Sequence, residues 1–211
     1  MIELLKVVPA FALTALLLAM VPGQGVAMIL RQSLVGGPRA AVYSVVGNSG
    51  GLIIWGAMSA IGLSAIFASS PLAFSILKWA GVLFLVGLSI QTLIELRNES
   101  GKFETTGAAE TSFFPAMRLG LFTNLTNVKA AVFAVAFIPQ FVPKDFNLGW
   151  GIFILSCVQS ATSMTWYFSL IAAVDKSSLF LARPRVRRIL TAISAGGILF
   201  LALGLALSHP R

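Results

Sequence analysis

The stretch 118-RLGLFTNLTNVKAAVFAVAFIPQFV-142 decides how this chain is read. It is an apolar run with one charge near its centre, Lys129. Asn124, Thr126 and Asn127 stand just before that lysine, and Pro139, Gln140 and Phe141 close the run. As a bilayer-crossing helix the run puts Lys129 near mid-depth, where a charge costs about 2.5–3.5 kcal/mol on insertion scales. An amine held there needs a partner and marks a functional site by default. Snorkelling accounts for it poorly. About ten residues separate Lys129 from either end, roughly 15 Å of helix, and a lysine stem covers only a few ångströms.

The totals point the same way. Of 211 residues, 57% are hydrophobic and 10% are charged, against about 25% charged in soluble domains. That composition is one of a polytopic membrane protein. The net charge of +8 does not argue for nucleic acid, because the basic residues lie between apolar spans and form no basic stripe. One cysteine, Cys157, and one histidine, His209, exclude a disulfide within the chain, a thiol-redox pair and a histidine- or cysteine-based metal site.

Outward from the central stretch, five further apolar spans emerge: 7–30, 40–67, 72–96, 146–174 and 189–208. Residues 1–6 read as a short polar start. The first span is interrupted by Pro22, Gly23 and Gln24. Proline lacks a backbone donor and glycine is permissive, so a helix breaks or kinks there and a new half-helix can begin with free N–H groups. A cleaved signal peptide is the weaker account, since the apolar run continues past the break. Residues 31–39, with Gly36, Gly37 and Pro38, read as a loop. In the second span Gly47 and Gly51 are one turn apart, a small-residue face suited to close helix packing. That bare face, with Asn48, could instead line a substrate path, and it could pack within one chain or between two copies, so a homo-oligomer stays open. The fifth span carries Gln159, Ser160, Thr162, Ser163 and Thr165, and residues 175–188 read as a basic loop.

The expected fold is therefore an all-α integral membrane protein of six transmembrane helices in one transporter domain. Two inverted three-helix halves, residues 1–97 and 113–211, flank the polar loop 98–112. Each half opens on an interrupted span, the sequence pointer to a midplane site. Arg31, Arg39, Arg97, Lys102, Arg118, Lys176, Arg183, Arg185, Arg187 and Arg188 fall on one side, against Lys6, Lys78, Lys144 and Arg211 on the other. Positive-inside logic places the first side, with loop 98–112, in the cytoplasm and both termini outside.

Several of these residues also carry a resemblance. Pro22 and Gly23 in the first span, the glycine-rich second span, the run from Leu119 to Asn127 leading to Lys129, and the closing Pro139, Gln140 and Phe141 resemble the LysE/RhtB family of amino-acid exporters. The likeness extends over nearly the whole chain. The family pattern has Pro-Gly-Pro in the first span and Asn-Pro-Lys in the fourth; here Gln24 and Val128 replace the second proline of the one and the proline of the other. Val128 restores a backbone donor, so the fourth helix is expected to be able to run through unbroken. Gln24 adds a donor and an acceptor.

The resemblance implies export of amino acids or close metabolites across a bacterial cytoplasmic membrane, with a small-molecule substrate, no cofactor and no nucleic-acid partner. The residues supply a site for it. A carboxylate could meet Lys129 and the N–H groups after Pro22 and Gly23, and an ammonium could meet oxygens of Asn127, Asn124 or Gln24, with Asn48 contributing. Asn124 and Asn127 could alternatively cap helix ends. Phe122, Phe133, Phe137 and Trp55 read as packing. Span middles hold no Asp, Glu or His, so proton coupling is confined to Lys129 itself, Glu95 or Asp175. The same absence weighs against an intramembrane enzyme or a metal-ion exporter. A non-transporting membrane partner or assembly factor is the remaining alternative, distinguished by the lack of solute-specific export.

Overall fold

The computed structural model describes residues 2–21, 23–69 and 109–181, together with 72, 75, 76, 79–83, 86, 87, 89, 90, 94, 189, 192, 195–197, 199, 202, 203, 206 and 207; for 63–69 and 175–181 it describes the backbone alone. Every regular element among these residues is helical.

Helix α1, Ile2–Met20, begins where a polar start was expected. Lys6 bonds to Glu3 one turn back at 2.6 Å, an exposed ion pair. The helix ends two residues ahead of Pro22 because a residue preceding proline is pushed out of the α region. Val21 still bonds through its N–H to the Leu18 carbonyl at 3.3 Å. Gly23 is extended, and its carbonyl accepts from the Ala27 N–H at 2.9 Å to open α2, Gln24–Arg31. The first span is thus two helices.

Residues 31–39 differ from the expected loop. Helix α2 passes into a π-helical turn, Gln32–Gly36, and Gly37, at φ 82°, opens α3, Gly37–Ser69. That positive φ is a conformation glycine adopts without steric cost. Pro38 then falls in the first turn of α3, where its missing N–H is harmless. Buried Gln32 pins the end of the polar loop to this turn. Its Nε2 donates to the Ser44 hydroxyl and the Glu110 carbonyl, both at 3.0 Å, and its Oε1 accepts from the Glu110 N–H at 3.2 Å.

The second half opens with α4, Phe113–Leu125, and α5, Val128–Val132. A π-helical turn, Phe133–Phe137, and α6, Ile138–Phe141, follow. The chain bends by 59° between Phe113–Leu125 and Val128–Phe141. The fourth span is therefore broken, contrary to the expectation drawn from Val128. Val128 is the first residue of α5, a position whose N–H has no intrahelical partner in any case. Proline and valine there leave the helix equally free to start. The π turn has a similar logic. Pro139 offers no N–H to the Val135 carbonyl, and the turn ahead of it widens so that the Ile138 N–H meets the Phe133 carbonyl.

Helix α7, Leu148–Leu181, runs beyond residue 174 into the segment expected to be a basic loop. The polar residues after Val174 include no glycine or proline before Pro184, and charge alone does not end a helix. The described parts of both long helices reach to within a few residues of a proline, Pro71 after α3 and Pro184 after α7. A local pattern recurs in the two halves: a break, a short helix and a five-residue π turn, then a long helix of 33 residues in α3 or 34 in α7. In the second half α6 and a short connection intervene before that long helix.

Among the described residues, Ile2–Met20 and Gln24–Gly62 are long and apolar enough to cross a membrane, and the bent pair makes a third such run. About half of the expected spans 72–96 and 189–208 lies outside the described residues; the residues described within them are helical.

Helix α3 packs along both α4 and α7. The α3–α4 crossing brings backbone against backbone. A Cβ on Gly47 would overlap the Met117 carbonyl, and one on Gly120 would overlap the Ser44 carbonyl. Gly51 leaves room for the side chain of Asn124, and Gly56 for that of Ser156. The small-residue face of the second span thus packs within the chain. The apolar core around it has two parts. One holds Phe11, Leu18, Val21, Phe133, Phe137, Ile152 and Leu155, the other Val26, Ile29, Val45, Tyr167 and Leu170. Phe133 stacks on Phe137 at 4.8 Å between ring centres and lies 6.1 Å from Phe11, which is the packing role expected of it.

Overfilling this crossing is the direct test. Gly120→Val is expected to lower stability by at least about 1–3 kcal/mol, read as the melting temperature of the detergent-purified protein. Gly50→Ala, where an added Cβ meets nothing within 4 Å, should leave it unchanged or slightly raised. An unaltered melting temperature in Gly120→Val would contradict the backbone contact.

Candidate functional site

The site grows from the two breaks. At the second, the Thr126 N–H and hydroxyl both bond to the Phe122 carbonyl, at 3.0 and 2.8 Å, which ends α4. The Asn127 N–H donates to the Asn124 carbonyl at 3.0 Å, and its side-chain oxygen accepts from the Lys129 N–H at 3.0 Å. Asn127 is thus the N-cap of α5, the role its side chain is suited to. With the cap fixed, Lys129 leaves the second position of α5 in a set direction.

That direction is across the molecule to the first break. The Lys129 ammonium donates to the Leu18 carbonyl at 3.1 Å and the Val21 carbonyl at 3.3 Å. The Leu18 carbonyl, which also accepts from the Val21 N–H, and the Val21 carbonyl just past α1 stand at a helix end, which gathers partial negative charge. A lysine there completes an end that α1 cannot complete itself. Gly23 stands beside it, so that a Cβ at Gly23 would lie 3.8 Å from the Lys129 Nζ. The half-buried amine therefore sits between the last carbonyls of α1 and the start of α2. Gly23 makes no side-chain cap for α2.

The mirror contact exists at the other break. Trp55 of α3 donates its indole N–H to the Asn124 carbonyl at 3.3 Å, at the end of α4. Asn124 also donates its side-chain amide to the Asn48 oxygen at 3.2 Å, and both residues are buried. The Asn124 Oδ1 is buried without a partner. The Asn48 amide nitrogen points toward Gly25 of α2, lying 3.8 Å from where a Cβ would be, and the Tyr167 hydroxyl of α7 closes the same spot at 2.9 Å.

Lys129, Asn127, Gly23, Asn124 and Asn48 are thus brought to the two breaks and the α3–α4 crossing between them. Gln24 is exposed at the first position of α2 and does not join the buried polar groups. Pro22 and Glu95 lie outside the described residues, and only the backbone of Asp175 is described, in α7. Phe122 faces outward, while Trp55, read as packing, also serves the Asn124 carbonyl. Tyr167 was not singled out from the sequence. The available signal was a phenol at helical spacing from Gln159 and Ser163.

The chain matches the LysE type translocator family over residues 16–209. It belongs to that family. This LysE type translocator is similar to homoserine/homoserine lactone efflux proteins of Salmonella typhimurium and Salmonella typhi, each 32% identical over 206 residues, 96% of this chain and 96% of theirs. It is also similar to an uncharacterized membrane protein of Bacillus subtilis, 21% identical over 202 residues, 93% of this chain and 95% of that one. No solved structure matches the translocator. Membership makes it a membrane transport protein, which agrees with the apolar helices and the all-α class.

The buried Asn48–Asn124 bond yields a double-mutant test. Asn48→Ala and Asn124→Ala should each cost the translocator about 1–3 kcal/mol by leaving a buried partner unpaired. The double variant should cost clearly less than the two combined, because the residues couple. Strict additivity in thermal unfolding would show that the bond contributes nothing.

Proposed function

We propose that this translocator exports a small amino acid or a closely related metabolite of the homoserine or homoserine lactone class from the cytoplasm. The reading rests on one observation above all: Lys129 of the second half is held on the broken end of α1 in the first. Family membership and the efflux relatives support the substrate class.

The chemistry proceeds by replacement. A bound amino-acid zwitterion offers its carboxylate, and a lactone its ester carbonyl oxygen, to Lys129 and to the free N–H groups of residues 24–26, where a helix N-terminus favours negative charge. As the Lys129 ammonium turns to the carboxylate it releases the Leu18 and Val21 carbonyls. The substrate ammonium takes those carbonyls in its place, with the Asn124 Oδ1 within the same polar region as a further acceptor. Charge is conserved at each point, so neither the lysine nor the helix end is left bare in a low-dielectric interior.

Alternating access then follows from two inverted halves that rock about this site. The recurring break, short helix and π turn support that symmetry, with residues 1–97 and 113–211 as the halves. The bias of basic residues toward the side of loop 98–112 supports that loop in the cytoplasm and the termini outside. Transport, and not a partner or assembly role, is favoured because the polar groups gather at helix breaks inside the spans and not on an outer face.

Lys129→Ala is expected to reduce export of L-homoserine from loaded cells to the level of cells lacking the protein, while membrane insertion is retained. Lys129→Arg should keep partial activity, since it preserves the charge but not the point geometry. Wild-type export by a well-inserted Lys129→Ala protein would overturn the assignment.

A further inference from the structure

Helix α7 carries hydroxyl residues that fall into two groups. Ser156, Thr162, Thr165 and Ser169 each bond to the carbonyl one turn back, and Ser160 bonds to the Ser49 carbonyl of α3. Ser163 and Tyr167 make no hydrogen bond among the described residues, and neither does the side chain of Gln159, whose Oε1 is buried without a partner. All three are well buried, at 3% exposure for Gln159, 5% for Ser163 and 7% for Tyr167. Of these polar atoms the Gln159 Oε1 is the one fully buried, and leaving it unpaired costs about 1–3 kcal/mol. The three residues are spaced four apart and lie on one helix face.

Position on α7 says what they face. Leu155 belongs to the cluster that holds Leu18 and Val21, before the first break. Tyr167 packs with Val26 and Ile29, after it, and sets its hydroxyl against Gly25. Gln159 and Ser163 lie between those two residues on the same helix face, which puts them near the level of the break. At the break the first N–H groups of α2 have no side-chain cap, and the Asn48 amide nitrogen is turned toward Gly25.

We propose that Gln159, Ser163 and Tyr167, together with Asn48 and the start of α2, form the wall that recognises the substrate side chain, and that this wall selects a short side chain bearing an uncharged oxygen. The proposal rests on the export reading above and supplies its specificity. The wall offers hydroxyls, amide donors and one amide oxygen. It offers no carboxylate: the acidic side chains among the described residues are Glu3 in the first turn of α1, and Glu110 and Asp145 in connecting segments. A cationic side chain would meet donors without a counter-charge. An apolar one would leave buried polar groups unpaired, the situation in which a polar site rejects its competitor most strongly. A hydroxyl satisfies them, and the ring oxygen of a lactone offers an acceptor in the same place.

The test uses the full-length protein purified in detergent, with binding read from the ligand-dependent rise in melting temperature. The probes are L-homoserine and L-2-aminobutyrate, which has a methyl where homoserine carries its hydroxymethyl group. Wild type is expected to bind homoserine more tightly by about tenfold or more, as one buried polar pairing provides. Tyr167→Phe and Gln159→Leu should bring that ratio close to one, and Ser163→Ala, which removes a single oxygen from the same wall, should lower it too. A purely structural role would weaken both ligands together and keep the ratio. Equal binding of the two ligands by wild type, or a ratio retained in all three variants, overturns the proposal. Export is read separately from vesicles loaded with homoserine. Absent export with a ratio that still collapses in the variants would remove the export reading and leave the recognition wall standing.

Discussion

The interaction on which the rest depends is that of the Lys129 ammonium with the carbonyls of Leu18 and Val21. Inside a bilayer, a helix that stops has acceptors that water cannot satisfy, and a lysine has a charge that lipid cannot solvate. Each is costly alone, and here each answers the other. The sequence separation of 111 and 108 residues makes the contact a tie between halves. Trp55 returns it in the opposite sense by covering the Asn124 carbonyl at the end of α4. Each break, beyond its local bonds, takes a donor from a distant part of the chain.

This reciprocity explains how so apolar a protein holds so many buried polar side chains. Asn48, Asn124, Gln32, Ser44 and Ser59 are all buried and all bonded. They tie α3 to α4, to the π turn of the second half and to the end of the polar loop. The glycines bring the backbones close enough for such short side chains to reach. Gln159 differs from them in that its buried Oε1 has no partner, on the helix face it shares with Ser163 and Tyr167.

What the sequence made legible was mostly chemistry that acts locally. Pro22 and Gly23 mark a helix break by their own backbone properties, and Lys129 marks itself by being charged in an apolar run. The break at 126–127 was harder to see, because Val128 looks like a helix-continuing residue. Its place as the first residue of α5 depends on Asn127 acting as a cap, which the residue before it does not reveal. The segment 31–39 carried the usual glycine and proline signals of a loop, yet a π turn used them to join two helices. The extent of α7 was underestimated because charged residues look like a loop when no breaker is weighed against them. The region that meets Lys129 was legible from Pro22 and Gly23, but its actual acceptors, the Leu18 and Val21 carbonyls ahead of the break, are backbone atoms that no side chain marks.

The α3–α4 crossing has a mechanical meaning. Where Gly47 lies on the Met117 carbonyl and Gly120 on the Ser44 carbonyl, there is no layer of side chains to shear or re-rotamerise. Interdigitated side chains permit sliding by small readjustments; bare backbones in van der Waals contact resist both approach and axial slip. In the rocking motion proposed above, α3 belongs to one half and α4 to the other, so this crossing would serve as the fulcrum, with displacement smallest there and growing along the long helices on either side.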